Sequence, residues 1–215
     1  MLTIGILGGT GPQGRGLGRR LALAGHPVVL GSRTAERAAD VAARIGLDPL
    51  TGAANEQAAT ADLVIVTVPY AGHADLLTSL AGPLHGTIVV DCVNPLGFDA
   101  HGPYALAVPD GSAAQEAQRL LPESTVIAAF HHVSAVRLED PAVTSFDEDV
   151  LVLGEDRDAV GAVIDLAAAA LPGGRGVYAG RLRNAGQVEA LTANLIAVNR
   201  RYRTHAGLRV TELRA

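Results

Sequence analysis

At 215 residues, with 48% hydrophobic and 18% charged side chains, the chain carries enough apolar material for one generous core and too little charge for a disordered segment. Its formal charge of -5 argues against nucleic acid as a partner, because phosphate-rich surfaces require clustered Lys and Arg. The single cysteine, Cys92, has no partner for an internal disulfide, and neither a secretory leader nor a membrane-spanning apolar run is seen, so a soluble cytoplasmic protein with no membrane partner is expected.

Residues 2–8, LTIGILG, read as a buried strand ended by glycines. From Gly14 to Ala24, Leu17, Leu21 and Leu23 recur at roughly helical spacing and Gly25 stops the helix. HPVVLGSR supplies a second strand through about Leu30. Thr34–Ile45, alanine-rich with Glu36, Arg37, Asp40 and Arg44, suits a solvent-facing crossover helix. A turn is expected over Asp48–Gly52, then a short helix in NEQAATA. ADLVIVTVP, apolar almost throughout, predicts a parallel strand covered on both faces, followed by a helix in HADLLTSLAGPL and a strand in TIVVDCVNP. Leu96–Ala113, with its glycines and prolines, is expected to be a long loop of the lid or binding kind. A helix at Ala113–Leu121, strands in TVIAAF and DVLVLGE, a helix at Asp158–Leu171, a short strand in VYAGRL and a long helix at Asn184–Ala206 complete the chain. The alternation predicts an α/β, Rossmann-type, doubly wound, mainly parallel sheet with a small C-terminal helical subdomain.

Gly9, Thr10, Gly11, Pro12, Gln13 and Gly14 form GTGPQG between the first strand and the first helix. In G-x-G-x-x-G the first glycine permits the tight turn, the second lets backbone approach a pyrophosphate, and the third allows close helix–strand packing. Free N–H groups at the helix start attract phosphate, and Pro12 suits an early position that needs no donor. Residues 1–155 are therefore expected to form the dinucleotide domain, and 156–215 a C-terminal part that completes the substrate pocket and supplies a dimer contact.

NAD-selective proteins of this kind place Asp or Glu after the second strand, where it binds the ribose hydroxyls. Here Ser32 and Arg33 stand in that place, a hydroxyl and a guanidinium suited to the 2′-phosphate of NADP(H). Arg37, one helical turn later, reads either as a second charge on that phosphate or as a surface cation beside Glu36 and Asp40. Arg15 is a weaker candidate for the same pocket.

Ligands in open α/β sheets lie beyond the carboxyl ends of the strands. That places Val68, Pro69 and Tyr70, then Asn94, Pro95 and Leu96, and then His131, His132, Val133 and Ser134 beside the cofactor and its reaction partner. Of the two adjacent histidines at most one faces the ligand, and a strand-end histidine bonded to backbone is the competing reading. His26, His73, His85, His101 and His205 read as turn or surface residues. No metal site, catalytic triad or proton relay emerges, which fits hydride transfer between two rings by positioning alone.

The blocks ILGGTGPQGRGLGRRLALAGH, VVLGSR, VIVTVPY, FHHVSA and GRLRNAGQVEALTANLIAVN resemble the NADPH-dependent reductases of the deazaflavin coenzyme F420, the F420H2:NADP oxidoreductases. The resemblance implies hydride transfer between NADP(H) and F420, with Thr10 to Gln13 on the pyrophosphate, Ser32 and Arg33 on the 2′-phosphate and Pro69 near the inner ribose. It implies a deazaflavin ring against the nicotinamide near His131 to Ala135, a pocket closed around Asn184 and Leu191, and a homodimer built through the C-terminal region. His132 and Ser134 depart from the family pattern, in which a small polar residue and a proline are common. Two other readings stay open: a reductase of a small imine or keto substrate, and a non-enzymatic NADP(H) sensor.

Overall fold

The computed structural model describes residues 1–213. Its elements are β1 (Ile4–Leu7), α1 (Pro12–Leu23), β2 (Val28–Ser32), α2 (Ala35–Ile45), β3 (Leu50–Ala54), α3 (Asn55–Ala58), β4 (Leu63–Val66), α4 (His73–Ser79) and β5 (Ile88–Asp91). They continue with β6 (Leu96–Asp99), β7 (Gly102–Ala105), α5 (Ala113–Leu120), β8 (Thr125–Ala128), α6 (Ala135–Glu139), β9 (Asp149–Leu153), α7 (Arg157–Ala170), β10 (Arg175–Gly180) and α8 (Ala185–Tyr202). Eight strands make one sheet in the order β10-β9-β8-β5-β4-β1-β2-β3, with every pairing parallel except that of β8 with β9.

The apolar runs explain the layering. In β4, Leu63 and Ile65 join one core with Leu17 and Leu21 of α1, while Val64 and Val66 join the other with Leu77 of α4 and Ala117 of α5. Alternate strand residues point to opposite faces, so a strand covered on both sides needs apolar residues at every position. Each such side chain contributes about 1.5–3 kcal/mol when fully buried. Strand order runs outward from β1 in one direction through β2 and β3, and in the other through β4, β5 and β8. The crevice at this reversal, beyond the ends of β1 and β4, is where a doubly wound sheet binds its ligand.

Two connections differ from expectation. The turn expected over Asp48–Gly52 is confined to Asp48 and Pro49, and Leu50–Gly52 already belong to edge strand β3, paired with β2 from Val28 opposite Leu50. Gly52 looked like a turn residue, yet it is there because the backbone of Ala38 in α2 occupies the place of a side chain. The expected loop Leu96–Ala113 contains an antiparallel hairpin, β6 with β7, whose turn is tied by Asp99 Oδ1 accepting from the amides of His101 (2.7 Å) and Gly102 (3.1 Å). α8 packs on this hairpin. It ends at Tyr202 because Arg203 adopts a left-handed φ of 51°, and buries only Ala185, Val188 and Glu189. α7 and β10 belong to the main sheet layer, and α8 follows as the C-terminal helix, packed on α5 and β7.

Candidate cofactor and substrate cleft

β1 delivers the chain into the glycine turn. Gly8 sits at φ +71°, and the Gly9 amide donates to Gly31 O at 2.8 Å, pinning the turn to β2. A Cβ on Gly14 would lie 2.6 Å from Gly9 Cα, so helix–turn packing requires glycine there. At Gly11 the nearest protein atom to such a Cβ would be Gly8 O at 3.4 Å, an ordinary distance. Nothing in the protein demands glycine at position 11, whereas a phosphate approaching the backbone would. α1 opens with Pro12 and carries no acidic residue in its first turn, leaving its positive end available to an anion. The residues present thus fit a dinucleotide pyrophosphate.

A cleft of about 410 Å³ runs from this turn to the end of β2, lined by Thr10, Gly11, Ser32, Arg33, Arg37 and Asn55 among others. Ser32 is buried, while Arg33 and Arg37 are exposed, and among the described residues neither arginine forms a salt bridge. The pairing of Arg37 with Glu36 or Asp40 does not form. Arg15 lies elsewhere: its Nε donates to Glu139 Oε1 at 2.6 Å and its Nη1 to Thr10 O at 2.8 Å, so it braces the turn from behind. Asn55, which the sequence reading overlooked, is buried and its Oδ1 accepts from the Gly8 amide at 3.3 Å.

A second cleft of about 290 Å³ continues from the first through Gly11, Thr67, Val68 and Pro69 to Pro12, Gln13, Cys92, Asn94 and His131. Two residues past the end of β8 stands Phe130, buried and at φ 63°, and this left-handed residue turns the following histidines apart. His131 lines the cleft and, among the described residues, neither of its ring nitrogens has a hydrogen-bond partner, while His132 faces the other way and its Nε2 accepts from the Leu151 amide at 3.3 Å. Burial holds His131 near a pKa of about 4, only partly offset by the charge of Asp91 and the nearby backbone of Cys92 and Val93, so the ring is neutral. The buried His131 ring and the buried Asn94 Oδ1 lack hydrogen-bond partners among the described residues, the kind of unsatisfied polar group that calls for an explanation. The His131 carbonyl is clamped by Asn94 Nδ2 (2.8 Å) and by Thr192 Oγ1 of α8 (2.9 Å), and Gln13 Nε2 reaches Phe130 O (3.3 Å).

Not every expected residue reaches this cleft. His132 and Val133 are buried, and Val133 lies in the core. Ser134 and Ala135 open α6, Asn184 precedes α8, and Leu191 is half-buried on α8; none of these four lines either cleft. The largest departure is His73. Expected at a turn or on the surface, it is fully enclosed, with Nε2 2.7 Å from Asp91 Oδ2 and Nδ1 2.9 Å from Glu116 Oε2.

With this geometry in hand, likeness to known proteins is informative. Residues 3–95 match the family model described as NADP oxidoreductase coenzyme F420-dependent. Over 225 residues the chain is 36% identical to the F420-dependent NADP reductase of Methanothermobacter thermautotrophicus, with 99% of this chain and 96% of that one covered. The chain belongs to the F420-dependent NADP reductase family. The F420-dependent NADP reductase of Methanocaldococcus jannaschii is 37% identical over 224 residues, covering 99% of each chain. A solved structure from Arthrobacter sp. FB24, provisionally named an F420-dependent NADP-reductase, superimposes with a TM-score of 0.85 at 26% identity, covering 99% of this chain and 100% of that one. For this F420-dependent NADP reductase family member, the stretch aligned with these relatives covers 99% of the chain.

Proposed function

We propose that the chain transfers a hydride between NADP(H) and the deazaflavin coenzyme F420 across the paired clefts. The observation that carries this reading is Ser32 and Arg33 at the end of β2 with Arg37 on α2 beside them, a hydroxyl and two cations without a salt bridge among the described residues, in the place where an NAD-binding carboxylate would stand. Thr10 to Gln13, with Gly9 and Gly14 shaping the turn, would hold the pyrophosphate, and Val68 and Pro69 the ribose between the clefts. Asn94 and the neutral His131 would face the rings, with Ala135, Ser134, Asn184 and Leu191 at the margin that the second ring enters. His132 and Val133 support that wall from within the core. When bound, the two coenzymes would supply the hydride chemistry; the chain's own residues bind and orient them and exclude water.

Relatives named F420-dependent NADP reductase, aligned over nearly their full length, favour F420 over a small imine or keto substrate and over a sensor role. A homodimer through the C-terminal region is part of the reading: α8 exposes Val198 and Tyr202, the hairpin it packs on exposes Phe98 and Tyr104, and an apolar surface of this kind suits a second copy. A cytoplasmic location is supported by the single, buried cysteine. Among the described residues no helix is long and apolar enough to cross a membrane. The test of the cofactor is Arg33→Ala: charge-assisted hydrogen bonds of about 1.5–3 kcal/mol predict a roughly 10- to 100-fold rise in the NADPH KM with little change for NADH. An equal effect on both nucleotides contradicts the phosphate contact.

A further inference from the structure

Between α4, β5 and α5 the chain buries a histidine that the site described above does not use. His73 meets Asp91 through one ring nitrogen and Glu116 through the other. Ionised carboxylates only accept hydrogen bonds, so a ring bonded to two of them donates twice and is an imidazolium. A neutral core histidine needs one backbone carbonyl, not two acids. Both oxygens of Asp91 are engaged: Oδ2 by His73, and Oδ1 by the Val93 amide at 3.0 Å. Cys92, Val93 and Asn94 are the wall of the second cleft, and Asn94 clamps the His131 carbonyl.

We propose that His73 is a positioning residue for hydride transfer: it holds Asp91 so that the Asp91–Val93 bond fixes Cys92–Asn94 at the ring end of the cleft. The inference rests on the reaction proposed above. Without His73, Oδ2 of a fully buried carboxylate loses its donor, and a turn of Asp91 toward another donor breaks the bond from Oδ1 that holds Val93. A misplacement of about 1 Å at reacting atoms costs on the order of 100-fold in rate. The phosphate end is held by α1 and β2, so nucleotide affinity is spared.

The ionisable groups around His73 are Asp91 from β5, Glu116 from α5, and, through these, Glu189 of α8 and Tyr70 just before α4. Burial opposes a charge on the ring, and the two carboxylates outweigh it, lifting the pKa to about 9. Burial likewise lifts Glu189 to about 7, against the pull of the Ala113 and Ala114 amides that it accepts. Both His73 nitrogens are used within the protein, and among the described residues no group of three such side chains is arranged to hold a metal ion.

With saturating NADPH and oxidised F420, wild-type kcat is expected to fall above about pH 9 as the ring loses a proton. His73→Phe should lower kcat roughly 10- to 100-fold with the NADPH KM held within about threefold. His73→Gln, which keeps one amide donor toward Asp91, should recover part of kcat and lose the alkaline limb. Nitrogen-15 NMR of histidine-labelled wild type needs no variant: both His73 ring nitrogens should be protonated at neutral pH. A neutral ring there overturns the proposal, as does a Gln variant with wild-type kcat and an unshifted limb, or losses in kcat and KM alike. Absence of turnover in the wild type overturns the proposed reaction instead. His73 is then judged by the Val93 amide resonance in the NADPH complex, which His73→Phe must shift, and His73→Gln shift less, for the proposal to stand.

Discussion

Gly11 and Gly14 stand three residues apart in one motif, yet their glycines answer to different constraints. A methyl group on Gly14 collides with Gly9 Cα at 2.6 Å, whereas one on Gly11 meets the protein only at 3.4 Å. Gly14→Ala is therefore expected to lower the thermal midpoint, and Gly11→Ala to leave it unchanged while weakening NADPH binding at least tenfold, on the scale of about 1.4 kcal/mol per factor of ten. Calorimetry of both variants, with and without NADPH, separates the two; equal losses of stability would contradict the assignment of Gly11 to the ligand. The motif was legible because its function is local, three glycines between a strand and a helix. His73 was not legible, since its partners lie 18 and 43 residues away in sequence and nothing in YAGHADLL distinguishes an enclosed imidazolium from a turn histidine. Asn55 and Thr192 escaped notice for the same reason: each acts on a backbone group contributed by a distant strand end.

At the scale of elements, α8 is fastened by two side chains one turn apart. Glu189 accepts the amides of Ala113 and Ala114 at the start of α5, at 2.9 and 3.2 Å, and Thr192 donates to the His131 carbonyl. The first ties α8 to the fold, because the opening amides of a helix have no partner within it. The second ties α8 to the cleft. Glu189→Ala leaves two buried donors unsatisfied and should destabilise the protein by about 1–3 kcal/mol in urea titrations. Thr192→Val, which keeps shape and removes the hydroxyl, should lower kcat/KM for the deazaflavin about 2- to 10-fold with a smaller loss of stability. The long helix itself was readable from composition, whereas its fastenings were not. The converse holds for β3 and the β6–β7 hairpin, where Pro, Gly and Asp marked turns so strongly that short strands between them passed as loop. β4 and β5 were readable because strands buried on both faces leave an unbroken apolar run.

For the molecule as a whole, the buried histidines set opposing pH limits. Burial pulls His131 and His132 down to about 4 from 6.5, so each remains neutral on folding and opposes folding once the unfolded chain protonates; stability falls as pH drops from about 6.5 toward 4. His73 is raised to about 9, so its contribution is complete below 6.5 and disappears as pH rises through 9. The thermal midpoint should therefore peak near pH 6.5 and fall on both sides, and His73→Gln should flatten the alkaline side alone. Dimerisation belongs to the same scale: scattering at two concentrations should give twice the mass of the 22.0 kDa chain, and Tyr202→Glu should reduce it. In the proposed reaction the two adjoining clefts bring a phosphorylated nicotinamide nucleotide against a deazaflavin. Purified protein mixed with NADPH and oxidised F420 should bleach the deazaflavin absorbance in step with NADPH oxidation, and NADH at equal concentration should be at least tenfold slower. NADPH bound tightly with the deazaflavin band unchanged, or NADH used equally well, would contradict it.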